Sequence, residues 1–427
     1  MASYFNASAT SHIEAFSWMG DAATVSAEAD VLSEKRFEIW TDDSEPQNPV
    51  VEGAEFAYQT TKIVHINDEG VRMAAKHIHE KLRLESYSPR TWRSHPLHIC
   101  PVEPYSAAEP LNKACLNWIF LISALNFSFW SEREGQSDRY GVLWQEGWES
   151  SKPKLWTGYW SLVASLNRAL QDGIPITDPN FYSSETLCPD SLIEHVFRAA
   201  EGCSETIPLL SQRIAVMREV GFVLCHGFGG SFQSFLDEFQ RQYNGEGTAL
   251  ALVQMVTTTF PSFRDEVYLD GRKVCLWKRA QILVAETWAA FYPPAPQTAH
   301  PLFPAGPAIH QLTMFADYRV PQILHHLCIL AYPPPLLKLL RTGTMLPPGS
   351  PEELSLRAAS IVAVERVRAE MLTLQVGEAA SESAVSSVLI DFYLWDLAKK
   401  IERGEERIEG IKTTGMVPTH RTRSIWY

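Results

Sequence analysis

FADYRVPQIL, residues Phe315 to Leu324, joins an aromatic, a carboxylate and an arginine to an apolar run in which proline comes early. Proline at the head of such a run marks the first turn of a helix, where its missing N–H costs no hydrogen bond. Asp317 is thereby placed at or just before a helix N-terminus, a position that favours negative charge. One reading makes Asp317 a plain helix cap. The other makes it a site residue, because Phe315, Tyr318 and Arg319 enclose it more fully than a cap requires.

About forty residues upstream lies FPSFRDEVYLDGRKVCLWKRAQILVAETWAAF, Phe260 to Phe291. Tyr268 to Val274 reads as two short strands around an Asp270-Gly271 turn. From Trp277 onward, Ile282, Leu283, Ala285, Trp288 and Ala289 recur at helical spacing. Lys278 and Arg279 fall at the start of that helix, the end where the helix dipole disfavours cations. Either they answer an anion or they are ordinary surface charge.

Helical periodicity dominates the rest of the chain. Val71, Ala74, Ala75, Ile78 and Leu82 predict an amphipathic helix from Asp68, and Leu111 to Leu125 predicts a more apolar one. The latter leads into a strand-like aromatic segment, Asn126 to Trp130. Further helices are expected over Trp160–Leu170, Leu192–Ala200, Ile207–Cys225, Ser231–Tyr243, Thr248–Val256, Pro321–Ala331, Pro334–Arg341, Glu352–Leu374 and Ser383–Arg403. Gly227, Gly229 and Gly230 break two of them; CHGFGGSF lacks the Lys-Ser/Thr of a phosphate loop and follows a helix, not a strand. The fold class is mainly α, a single large helical domain with small β-hairpins over residues 60–427. Residues 1–59, rich in Ala, Ser, Glu and Asp, read as a poorly ordered extension with room for one short helix or strand. A proline-rich insertion spans 293–307.

Composition narrows the function. The 427 residues carry a formal net charge of −13 and no block of basic residues, which disfavours intact nucleic acid as a partner, since binding phosphates takes cationic surface. A small nucleotide needs only a few local cations. Seven cysteines stand singly, a pattern of reduced thiols in a cytoplasmic protein. The pairs His95/His98 and His325/His326 lack a matching partner at metal-site spacing, so no metal and no cofactor are expected. No apolar run approaches the roughly 20 residues needed to span a bilayer, so no membrane partner is expected, and the chain is read as a monomer.

Taken with ALNFSFW (Ala124–Trp130), TGYWSLVASLNRALQDGIPIT (Thr157–Thr177), DFYLWD (Asp391–Asp396) and the ending HRTRSIWY, the two quoted segments give a sequence that resembles the queuosine salvage protein family. The resemblance runs in register from roughly Thr61 to Tyr427. It implies a queuosine 5′-phosphate N-glycosylase that releases the base queuine, with no cofactor, on a domain resembling the helix-hairpin-helix DNA glycosylases. In those enzymes a catalytic Asp lies at a helix N-terminus, the kind of position Asp317 occupies.

Cleaving an N-glycosidic bond builds positive charge on the sugar, which a carboxylate beneath the anomeric carbon can stabilise or attack. Asp317 is the candidate for that role. Queuine is a 7-deazapurine, so the ring nitrogen that acids commonly protonate is carbon. Its arm carries a cationic secondary amine and a diol, both suited to carboxylates. Asp391 and Asp396, about 140° apart around one helix, can border one pocket; alternatively one caps and the other is solvated. His98 matches a family histidine that precedes a proline-containing loop. Phe315 and Phe392 are candidate base or sugar contacts. Lys278, Arg279 and Arg319 are candidates for the 5′-phosphate, with an ion pair to Asp317 as the competing account of Arg319. Two other classes stay open: a base-excision nucleic-acid glycosylase, and a non-enzymatic helical binding protein.

Overall fold

The helix Pro351–Leu374 runs through the middle of the fold, with Leu354, Leu356, Ala358, Ile361, Val364 and Val367 all buried. Helices Pro49–Thr61, Asp68–Leu84, Val320–His326 and Ser387–Glu402 pack around it. The computed structural model describes residues 48–295, 298–303, 308–374 and 385–427. Within these, residues Asn48–Tyr427 form one compact unit. The fold is mainly α. Among the described residues its named strands pair as two-stranded antiparallel ribbons, His65–Ile66 with Leu330–Ala331, Gly141–Gly147 with Ser150–Thr157, and Glu266–Leu269 with Arg272–Cys275.

Local chemistry accounts for the elements. Asn67 caps Asp68–Leu84 through a bond from the Glu69 N–H, and the periodic residues Val71, Ala74, Ala75, Ile78 and Leu82 are its buried face. Gly70 lies against Cys328, where a Cβ would fall 2.1 Å from the carbonyl oxygen, so only glycine lets the helix approach. Asp270 and Gly271 both take positive φ, 48° and 78°, as a tight hairpin turn requires.

Three expectations need correction. The extension predicted to reach residue 59 does not include residues 48–59: Asn48 caps the helix Pro49–Thr61, whose Val50, Ala54 and Ala57 are fully buried. Small apolar residues let that helix sit close to its neighbours, a signal that the polar SEPQNP run masks. Residues 1–47 lie outside the described residues, as do 296–297 and 304–307 of the proline-rich insertion. Asn126–Trp130 is not a strand. Ser128 is left-handed (φ 51°), and carbonyls of this segment accept side-chain donors, Asn126 from Lys278, Phe127 from buried Arg213 and Trp130 from Arg423. Just before it, Arg213 also donates to Leu125, and buried Arg279 donates to Ala124 and to Ser262. Finally, the helix expected over Pro321–Ala331 stops at His326, because Cys328 turns left-handed (φ 59°) and the chain leaves as a strand.

Candidate active site

Asp317 stands where the sequence predicts it. Its Oδ1 accepts the backbone N–H of Arg319 at 2.7 Å and of Val320 at 2.9 Å, tying the carboxylate to the start of Val320–His326. Among the described residues, Oδ2 has no hydrogen-bond partner. The half-buried carboxylate is therefore oriented by one oxygen while the other is open.

Two elements bring further charge to it. On Ser387–Glu402, buried Asp391 accepts the Phe315 N–H at 2.9 Å. Burial raises its pKa well above the carboxylate range, and the neighbouring charge of Asp317 raises it further. On Lys278–Ala290, the buried Lys278 ammonium donates to the Asn126 carbonyl at 3.0 Å and to its side-chain oxygen at 3.1 Å. Burial pulls the Lys278 pKa down to about 8, against the opposing pull of Asp317 and Asp391. Lys278, Asp317 and Asp391 thus share one site.

An aromatic wall continues from there. The rings of Phe315 and Phe392 lie 6.0 Å apart. Trp395 packs edge-on against Tyr159 and Trp160, and Trp160 stacks on His95 with centroids 3.5 Å apart. His98 stacks on Trp92 at 4.0 Å, and its Nδ1 lies 2.6 Å from the Trp92 carbonyl. A carbonyl can only accept, so Nδ1 carries the proton and Nε2 is left as an acceptor. Burial holds His98 neutral, with its pKa near 4. Asp396, half-buried, accepts the Tyr87 hydroxyl at 2.7 Å. Hence Asp317, Asp391, Phe315, Phe392 and Lys278 come together directly, while His98 and Asp396 join through the rings of Trp160, Trp395 and Tyr87.

Two candidate cations are used elsewhere. The Arg319 guanidinium bonds Gln322 at 3.1 Å and Glu402 at 3.2 Å, so its ion pair is with Glu402 and not with Asp317. Arg279 is fully buried and holds backbone carbonyls. Neither is presented to a phosphate.

Sequence reasoning missed the frame. Arg357 donates to the Ala316 carbonyl at 2.8 Å and makes a two-pronged pair with Asp265, whose carboxylate also accepts the Lys278 backbone N–H at 3.2 Å. One buried ion pair thereby fixes both Asp317's neighbour and the start of the lysine helix. Glu286 was also missed, although a lone carboxylate in the apolar run AQILVAETWAAF is a visible signal.

The family model described as queuosine salvage protein matches residues 106–427. A protein of Schizosaccharomyces pombe named queuosine 5′-phosphate N-glycosylase/hydrolase is 38% identical over 390 residues, covering 88% of this chain and 99% of its own. The likewise named proteins of Mus musculus and Sphaerobacter thermophilus are each 36% identical, covering 88% and 74% of this chain and 98% and 82% of their own lengths. With the family match extending from residue 106 through Lys278, Asp317 and Asp391 to the last residue, the chain belongs to the queuosine salvage protein family.

Proposed function

We propose that this protein hydrolyses the N-glycosidic bond of queuosine 5′-phosphate and releases queuine, with Asp317 as nucleophile or oxocarbenium stabiliser. The relatives' names supply the substrate class, and one observation carries the assignment to this site. Asp317 is held by two backbone N–H groups through one oxygen and is open at the other, beside a buried lysine and a second carboxylate. Fixed negative charge aimed at developing positive charge is the largest single contribution available to such a reaction, about 3–4 kcal/mol.

Around that centre, Phe315 and Phe392 flank the base or sugar. Asp391, Asp396 and the free Nε2 of His98 serve the amine and diol of the queuine arm. Lys278 stands among Asp317 and Asp391, which suits the bond to be cut better than a phosphate one sugar carbon chain away; Arg319 is a structural partner of Glu402. We read the domain as a helical relative of the helix-hairpin-helix glycosylases, working as a cytoplasmic monomer on a small nucleotide. No helix among the described residues is long and apolar enough to cross a membrane.

The test is direct. Purified protein incubated with queuosine 5′-phosphate is expected to release queuine, measured by chromatography, and to leave queuosine in intact tRNA untouched, because a net charge of −13 opposes polyanion binding. Efficient release from tRNA favours the nucleic-acid glycosylase reading, and no release from the nucleotide favours the non-enzymatic one. In the same assay Asp396→Asn is expected to raise KM or the queuine Kd by about tenfold or more, the scale of one charge-assisted hydrogen bond, with a smaller change in kcat. A loss confined to kcat contradicts the arm-binding role.

A further inference from the structure

Lys278, Ile282 and Glu286 follow one another at four-residue spacing, one face of the helix Lys278–Ala290. Lys278 and Glu286 are 4% and 8% exposed, and Lys278 lies within electrostatic reach of Asp317 and Asp391, as Glu286 does of Lys278. Lys278 spends two of its three ammonium hydrogens on Asn126, which leaves one free. Among the described residues no carboxylate reaches ion-pair distance of that ammonium, although Asp317 and Asp391 are close enough to act on it. Glu286 feels Lys278 in turn and faces the Tyr159 hydroxyl. A buried ammonium with carboxylates near it and none paired to it keeps one proton uncommitted, available to a substrate atom.

We infer that Lys278 is the general acid for the departing deazapurine, held by Asn126, and that Glu286, two turns on along the same helix face, helps keep it charged. The inference rests on the glycosidic reading above and answers its main chemical difficulty, a leaving base with no N7 to protonate. As the bond from the anomeric carbon to the base nitrogen breaks, its electron pair stays with the base. Lys278 transfers its free proton to a ring nitrogen of that base and becomes a neutral amine. Water then adds at the anomeric carbon, displacing Asp317 where a covalent adduct has formed, and the water proton returns to the Lys278 amine. Protons and charge balance, and no external acid is consumed.

Burial brings Lys278 down to about 8 and lifts Glu286 to about 7, and the lysine charge holds the glutamate below what burial alone would give. Asp317 and Asp391 also raise the lysine, while Arg279 and Arg357 lower it; Glu286 faces Lys278 and Tyr159. Loss of the Lys278 proton therefore defines the alkaline limb of the rate profile. Coulomb attraction is mutual, so removing the Glu286 charge lowers the lysine pKa and moves that limb to lower pH.

Two substrates separate acid catalysis from folding. Lys278→Met is expected to lose at least about a hundredfold in kcat/KM on queuosine 5′-phosphate, the usual scale of general acid catalysis. On 7-methylguanosine 5′-phosphate, whose base already carries positive charge and leaves neutral, the same variant should lose less than about fivefold. Lys278→Arg keeps the charge but cannot release a proton, so it should not restore turnover of the deazapurine. Near-isosteric Glu286→Gln should shift the alkaline limb down by about half a pH unit or more. Equal losses on both substrates, full rescue by Lys278→Arg, an unmoved limb in Glu286→Gln, or a borohydride-trapped adduct on Lys278 each overturn the inference. A wild-type protein that releases no queuine overturns the underlying reading instead.

Discussion

Asp317→Asn is expected to lower turnover of queuosine 5′-phosphate by at least about a hundredfold, and by as much as about a thousandfold, while queuine still binds. The side-chain amide oxygen can still accept the N–H groups of Arg319 and Val320 that orient the native carboxylate, so the helix start should persist. Only the negative charge is lost. Asp391 cannot replace it, because the bond from the Phe315 N–H fixes that group in a different place. Binding of free queuine should change by less than about tenfold, since the aromatic wall, Asp391 and Asp396 are untouched. The experiment pairs single-turnover rates with calorimetric queuine binding. If affinity collapses while bound substrate reacts at the wild-type rate, Asp317 is a binding residue and the mechanism is wrong.

The features that sequence made legible are those set by local chemistry. Periodic apolar residues located the helix Asp68–Leu84, and the Pro334–Arg341 boundaries were read to the residue because proline opens it and Gly343 follows it. The Asp270-Gly271 turn was legible because few residue pairs tolerate two positive φ values. Asp317 at a helix start followed from Pro321 alone. What stayed hidden depends on distant partners. Nothing near Arg319 announces Glu402, 83 residues on. Arg279 was open between answering an anion and surface charge, yet it is buried on the Ala124 and Ser262 carbonyls. Asn126–Trp130 reads as a strand from its aromatics, and tertiary hydrogen bonds such as that of Arg213 to the Phe127 carbonyl override the propensity. Lys278 is the instructive case: its position at a helix N-terminus left an anion or surface charge open, and the side chain is buried on Asn126 within electrostatic reach of Asp317 and Asp391.

The buried pair of Arg357 and Asp265 yields the largest expected loss of stability. Arg357→Met should destabilise the protein by about 3–5 kcal/mol, the cost of leaving a buried carboxylate without its partner. At roughly 2 cal/mol/K per residue of unfolding entropy, that lowers the melting temperature by about 4–6 °C for a domain of this size. Three attachments fail together: the two-pronged bond to Asp265, the weaker contact with Glu353 at 3.4 Å, and the 2.8 Å bond to the Ala316 carbonyl. Methionine fills much of the volume, so the loss reports charge and hydrogen bonding more than a cavity. The second variant, Arg357→Met with Asp265→Leu, removes the stranded carboxylate and should recover most of the stability. Turnover should not recover with it. Asp265 also holds the Lys278 N–H, and Arg357 holds the residue before Asp317, so in the doubly substituted protein the proposed acid and nucleophile lose their common support. Thermal unfolding and kcat measured on both variants decide the matter. A double variant that regains stability and full activity together would show that the pair only fills the core, whereas regained stability with depressed kcat identifies it as the part of the fold that holds the two reactive groups in register.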